Sequence, residues 1–504
     1  MQYLIGSDIG TSGTKTVLFD ERGKIVASAF REYPLFQERS GWAEQAPEDW
    51  ANAVFETISE VIESTKVPPE QVKGVGLSGQ MHGLVLLDKD NKVLRKSIIW
   101  CDQRTQCECD EITAAIGRER LVEITANPAV TGFTASKILW VQKHEPEIWK
   151  KTAHILLPKD YVRFTLTGEY ITDVSDASGM QLLDIAKRDY SDEVLKKLQI
   201  DRALLPRVAE SSDEGGRILA SAAQKCGLKA GTVVAGSAGD QAAAAIGNGI
   251  VESGIASCNI GTSGVVFAHT EKPLIDKQGR IHTFCHAVEG KWHVMGVTQG
   301  AGLSMKWFKD NFYAEEARSL PDVYARINED IAQISIGSEG LLYLPYLMGE
   351  RTPHLDADAK GVFFGITPRH TRAHFARAVM EGVSFSLLDC LNVIRETGQD
   401  PKEVRIGGGG AKSTIWKQMI ADIFGCACVA TNSGEAGALG AAILAGVAAG
   451  VFDSVVSACR GMIRITEHYA PDLQKTKQYR EFYRIYSGIY PSLKNNYKEL
   501  KKLC

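Results

Sequence analysis

Apolar positions along this chain recur in two rhythms, and glycines stand where the rhythm changes. Residues 3–9, YLIGSDI, form a short apolar run, and 14–20, TKTVLFD, alternate apolar with polar, which predicts two antiparallel strands. GTSG at 10–13 makes the turn between them. After DERG, KIVASAF at 24–30 predicts a third strand and hence a meander. The second half repeats the design: GIASCNI at 254–260, GTSG at 261–264, then VVFAHT at 265–270. IGTSG therefore occurs at 9–13 and at 260–264, which predicts two related domains facing one another.

Elsewhere the pattern switches from strand to helix. EVRI runs into IGGGGAKS at 406–413 and then into STIWKQMIADIFG, where Ile415, Met419, Ile420 and Ile423 keep a helical period. TVVAG predicts a strand and QAAAAIG a helix, with Asp240 at the N-cap between them. Asp240 is then either a capping residue or an acid beyond the carboxyl end of a strand, where open α/β sheets place catalytic groups. Phe375, Val379, Val383, Leu387 and Ile394 mark a core helix over 371–397, stopped by Gly398 and Pro401. Residues 436–452, AGALGAAILAGVAAGVF, carry no charge, yet Ala and Gly dominate them. Small residues suit a helix pressed against neighbouring backbone, so a buried helix is expected and a membrane anchor is not. The Lys- and Tyr-rich tail, 475–504, predicts a solvated amphipathic helix that leaves room for a homodimer contact.

Composition narrows the class. A chain of 504 residues, 44% hydrophobic, can bury large cores and allows roughly two to four domains. Lys and Arg total 57 against 61 acids, so there is no broad basic field for nucleic acid. MQYLIGSDIG has neither a basic n-region nor an apolar h-region, and a cytoplasmic protein is expected. Of eleven cysteines only Cys107/Cys109 and Cys426/Cys428 lie close, without zinc-site spacing, so free thiols are expected.

The repeated tips are candidate phosphate cradles. Glycines let backbone N–H groups approach an anion, and the hydroxyls add donors; the alternative is a pair of ordinary hairpin turns. Asp8 and Lys15 flank the first tip, where the second has Asn259 and Val266. Only the first copy therefore carries charges suited to hydrated Mg²⁺ and a terminal phosphate. GVGLSG at 74–79 fits GxGxxG but follows no apolar strand, and IGGGGAKS departs from the Walker A pattern. Neither a dinucleotide site nor a P-loop is expected.

IGSDIGTSGTK, SGQMHG (78–83), WCDQR (100–104), PKDY (158–161), SDASG (175–179), GSAGDQ (236–241), IGTSG, PYLMGERTPH (345–354) and GGGAKS (408–413) run in order along the chain. In this the chain closely resembles the FGGY carbohydrate kinases. The resemblance implies two actin-like α/β domains of the ribonuclease H type with the active site in the cleft between them. A boundary near 245–253 divides the chain into 1–247 and 248–504. The implied reaction is transfer of the γ-phosphoryl of ATP, with Mg²⁺, to a sugar hydroxyl. SGQMHG and the WxDxR pattern resemble the branch acting on D-xylulose at O5, with ribulose, glycerol or gluconate as alternative sugars. A non-enzymatic actin-like ATP-binding protein is the remaining alternative, against which the presence of both Asp8 and Asp240 speaks.

Residue by residue, the resemblance makes Asp240 the base that takes the sugar proton and Asp8 the acid acting through Mg²⁺. Gly10, Thr11, Ser12, Gly13 and Lys15, with Gly261, Thr262 and Ser263, would line the phosphate path. Gly409 and Gly410 match the adenosine motif, with Ser413 and Asn432 beside it. Gln80, Met81 and His82 match one sugar loop, and Trp100, Asp102 and Arg104 a second. Met180 and Cys101 depart from the commoner Thr and Asn of the family and are expected to shift sugar preference. GERTPH (349–354) matches a family signature without an assigned bond, and the cleft is expected to close on sugar binding.

Overall fold

The computed structural model describes residues 1–503, so the end of the tail, Cys504, lies outside the described residues. Two seven-stranded sheets dominate the molecule. In the first, the meander Tyr3–Ile9, Gly13–Asp20, Ile25–Glu32 is antiparallel, and Val72–Gly79 then runs parallel to Tyr3–Ile9. Val233–Ala235 and Glu214–Arg217 extend the sheet on that side. The second sheet repeats this order. Ile255–Ile260, Gly264–Thr270 and Trp292–Thr298 form the meander, and Glu403–Gly408 runs parallel to Ile255–Ile260.

The two tips are not identical. The first hairpin closes at Ile9–Thr14, leaving the four residues 10–13 in the turn, whereas the second closes at Ile260–Gly264. Asp8 consequently pairs with Lys15, but Asn259 pairs with Val265 and not with Val266. Each turn is tied by its first glycine: Gly10 N donates to Gly13 O, and Gly261 N to Ser263 O.

GVGLSG proves to be a strand in its own right, within Val72–Gly79 at the centre of the first sheet. Its glycines have a packing cause. Helix Ala436–Ala448 lies so close to the sheet that a Cβ on Gly6 would meet Ala438 O at 1.8 Å, and one on Gly76 would meet Ala441 O at 1.9 Å. The uncharged stretch is thus a buried helix, and no helix among the described residues is long and apolar enough to cross a membrane. It also crosses helix Asp240–Gly247, where Gly440 faces the backbone carbonyl of Ala243.

Helix Arg372–Glu396 is buried along nearly its whole length. The tail helix, Leu473–Lys501, is amphipathic, but its inner face buries Tyr479, Tyr486, Ile489, Tyr490 and Tyr497 in the core of the second sheet's domain. The ten described cysteines are all free.

Candidate active site

Asp240 is the first helical residue of Asp240–Gly247, and Gly239 is the N-cap, one position before the sequence expectation. The strand Ala238–Gly239 pairs with the end of Val72–Gly79 and delivers Asp240 to the carboxyl edge of the first sheet. One carboxylate oxygen, Oδ1, accepts from Gln241 N at 2.7 Å. Burial, reinforced by the charge of Asp8, raises its pKa to about 7.

Asp8 is also pushed up, chiefly by burial; Ser78 Oγ, donating at 2.6 Å, opposes this, and the charge of Glu435 adds to it. Three carboxylates from three segments therefore influence one another here. Lys15 turns to Glu435, so the cation expected on the phosphate path is paired across to the loop before helix Ala436–Ala448. Gly437 brings that helix against Asp8, where a Cβ would lie 2.9 Å from the carboxyl carbon.

Below this edge lies a buried ion cluster built from PKDY, SDASG and Asp173, none of which had an assigned role. Lys159 Nζ of PKDY contacts Asp160 at 2.6 Å, Asp173 at 2.8 Å and Asp176 at 3.2 Å, all fully buried. Lys159 Cβ sits against Gly79, and Ser175 Oγ accepts from Gly239 N at 3.2 Å. The cluster thereby fixes both the end of the strand Val72–Gly79 and the turn that presents Asp240.

The expected sugar loop divides in two. Met81 packs on Gly239 beside Asp240, where a Cβ would meet its Cγ at 2.8 Å. His82 takes a left-handed backbone, φ 71, and its Nδ1 lies 3.0 Å from the carbonyl oxygen of Gly179. A side chain at Gly179 would strike the imidazole, which gives the glycine of SDASG its purpose. Lys137, fully buried, holds the loop by donating to the carbonyls of His82 at 2.8 Å and Gly132 at 2.7 Å. Burial draws its pKa down to about 7, and burial likewise keeps His82 neutral.

Gln80 points the other way. Its amide donates to Gln45 Oε1 at 2.8 Å and to Gly10 O at 3.3 Å, so it supports the first tip from beneath. Trp100 Nε1 donates to Thr11 Oγ1 at 2.9 Å, joining the second sugar loop to the same tip. Asp102 and Arg104 do not offer free groups. Asp102 is 1% exposed and accepts from Ala43 N and from Arg104, whose guanidinium also meets Glu44 and lies over Trp42. They brace the loop that carries Trp100. Met180 is buried in the core behind the site, and Cys101 packs against the core of the first sheet.

A cavity of about 740 Å³ opens beside the second tip. Gly261, Thr262, Gly409, Gly410 and Ser413 all line it. The turn Gly409–Lys412 is a single 3₁₀ helix, and Ser413 caps Thr414–Phe424 through Trp416 N. Gly302 N donates to Gly261 O at 2.8 Å, docking a further helix N-terminus onto the tip. Asn432 is elsewhere: its side chain bridges Met462 O and Arg464 N. Tyr324 and Asn328, one turn apart on helix Val323–Ala332, face the cavity and were not singled out from sequence. Nothing in an amphipathic helix marks which polar residues border a ligand. QGAG at 299–302 was the available signal, because it repeats the glycine-rich strand-to-helix grammar of GGGAKS.

The FGGY family of carbohydrate kinases, N-terminal domain, matches residues 3–247, and its C-terminal domain matches 256–449. The chain belongs to the FGGY family of carbohydrate kinases. It is 41% identical to the xylulose kinase of Bacillus subtilis (strain 168) over 501 residues, 99% of either protein. Ligand-bound xylulose kinase from Lactobacillus acidophilus superposes with a TM-score of 0.93 at 28% identity, covering 99% of this chain and 100% of that one. Gluconate kinase from Lactobacillus acidophilus gives the same TM-score at 27% identity, covering 99% of each chain. An FGGY kinase of either kind thus shares this backbone, the two-domain α/β arrangement expected of the family, and the sugar is decided by side chains.

Proposed function

We propose that the chain phosphorylates D-xylulose at O5, with ATP as donor. The observation that carries this is the full-length identity of 41% to a protein named xylulose kinase. Met81 and His82 beside Asp240 supply a polyol site consistent with it. Asp240, through the carboxylate oxygen not bonded to Gln241, takes the hydroxyl proton as the sugar oxygen attacks the γ-phosphorus. The ADP oxygen leaves, and the tips 10–13 and 261–263 cradle the phosphates through backbone N–H groups. The cavity beside Gly409 and Gly410 takes the adenosine, against bare backbone. In this reading residues 1–247 carry the sugar and the base, and 248–504 carry the nucleotide.

Asp8 suits a divalent ion because its donors are oxygens and its charge is unpaired. Among the described residues no three His, Cys, Asp or Glu side chains cluster as a metal cage, so phosphates and water would complete the shell. Mg²⁺ supplies charge neutralisation between phosphates and carboxylates when bound. The cytoplasm is the proposed compartment, and closure of the cleft would exclude water from the transfer.

Coupled ADP release with D-xylulose, L-xylulose, D-ribulose, L-ribulose, glycerol and gluconate tests the substrate. D-Xylulose should give the highest kcat/KM. The gluconate kinase likeness makes gluconate the second reading, and a maximum there would replace the first.

The pH profile tests the base. Only ionised Asp240 accepts a proton, so kcat/KM should rise with pH through about 7. Removing the Asp8 charge removes one cause of that elevation. The residual activity of Asp8→Asn should therefore titrate at lower pH, and an unmoved midpoint would contradict the coupling.

A further inference from the structure

GERTPH contains a guanidinium that none of these steps uses. Glu350 and Thr352 are both buried and fully engaged. Glu350 accepts from Thr298 Oγ1 at 2.6 Å, Gln299 N at 3.0 Å and Arg351 N at 2.7 Å. Thr352 N donates to Val297 O at 3.0 Å, and Thr352 Oγ1 donates to Arg280 O at 2.6 Å. Arg351 stands between two clamped neighbours, yet its guanidinium has no hydrogen bond or ion pair with any described residue. Arg351 is half-buried, so its unpaired guanidinium is held in place yet free to donate to an acceptor supplied from outside the chain.

Its position identifies the end of the site it serves. Arg280, which accepts from Thr352, is two residues from His282. His282 stacks on Phe284 and edges Phe133, and Phe133 in turn lies 4.8 Å from the ring of His82. The positive charge of Arg351 disfavours protonation of both His82 and His282. Contacts therefore run from Asp240 through Gly239 and Met81 to His82, and from His82 through Phe133 to His282, two residues from the Arg280 carbonyl that holds Thr352 beside Arg351.

We propose that Arg351 is a specificity-determining residue, whose guanidinium reaches from the second domain to bind the carbonyl end of a ketose. This rests on the ketopentose reading above. With the reacting O5 at Asp240, the C1–C2 end lies toward His82 and Arg351. A ketone oxygen only accepts, and the adjacent C1 hydroxyl can accept as well. The planar fork of Arg matches two neighbouring acceptors, whereas the point charge of Lys does not. Because the fork belongs to the second domain, binding it joins the domains through the sugar.

The test compares Arg351→Met and Arg351→Lys with the unmodified protein, using D-xylulose and its carbonyl-reduced analogues D-arabitol and xylitol. KM for D-xylulose should rise about 10–100-fold in the Met variant, with KM for Mg-ATP changed by less than about threefold. The preference for ketose over polyol should fall as well, since the planar C2 carbonyl and its C1 hydroxyl match the fork better than two tetrahedral hydroxyls do. Calorimetric titration with D-xylulose alone reads the same loss without turnover, and a thermal melt checks the fold of each variant. Arg351→Lys should recover affinity only in part. Unchanged ketose preference with a raised KM for Mg-ATP would give Arg351 to phosphate and overturn the inference. Unchanged sugar affinity in both variants would overturn it too. If the unmodified protein turns over no ketose, the functional reading falls and the inference falls with it; loss of the inference alone leaves that turnover intact.

Discussion

Asp240→Asn is expected to lower kcat by about 10²–10⁴ while D-xylulose still binds. Asn keeps the shape of the side chain and an oxygen for Gln241 N, which now meets Oδ1 at 2.7 Å. It also keeps a polar group toward the sugar hydroxyl. What disappears is the ability to take a proton near neutrality, which the folded protein creates by holding a carboxyl at about 7. The N-terminus of helix Asp240–Gly247 would by itself favour the charged form. Burial and Asp8 outweigh it, and a base with pKa near the working pH results. Because phosphoryl transfer passes through a loose transition state, the proton moves late, and positioning shares the catalytic burden. Single-turnover ADP release beside a fluorescence titration with D-xylulose separates the two contributions. Activity within tenfold of the unmodified protein would remove Asp240 from the mechanism. A large rise in sugar Kd would make it a binding group first.

Much of this arrangement was legible in the sequence, for reasons that differ by element. Both hairpins could be placed because strand alternation and GTSG turns are local signals. The strand-to-helix turn at 406–413 was equally plain. Asp240 was different: local grammar favoured a cap over a base, and only the family resemblance reversed that. Gln80, Asp102 and Arg104 show the limit of such transfer. They occupy the family positions, yet their polar atoms are bonded within the protein, beneath the first tip or around Trp42 and Glu44. Lys159 and its three aspartates come from separate segments, so no spacing rule joins them. The strand around Gly74 and Gly76 escaped notice because its glycines answer a helix more than 350 residues away in the chain.

That remote contact leads to the second large effect: Gly76→Ala should destabilise the protein by about 3 kcal/mol or more, and Gly488→Ala should not. A methyl on Gly76 would sit 1.9 Å from Ala441 O, and the obstacle is backbone, which cannot swing aside. Either the central strand or helix Ala436–Ala448 must shift. The same helix brings Gly437 against Asp8, and Glu435, its N-cap, pairs with Lys15. Any shift therefore reaches Asp8 and Lys15, the proposed phosphate end of the site, and kcat should fall along with the melting temperature. Gly488 lies in the tail helix with nothing within 4 Å of the added methyl. There the change relieves the entropic cost of glycine in a helix, about 0.5–1 kcal/mol, so Tm should hold or rise slightly. Thermal melts and kcat of the two variants, measured side by side, read the contrast. Equal melting temperatures would mean that the helix does not press on the sheet. A lowered Tm with unchanged kcat would sever the proposed link between that packing and the Asp8 site.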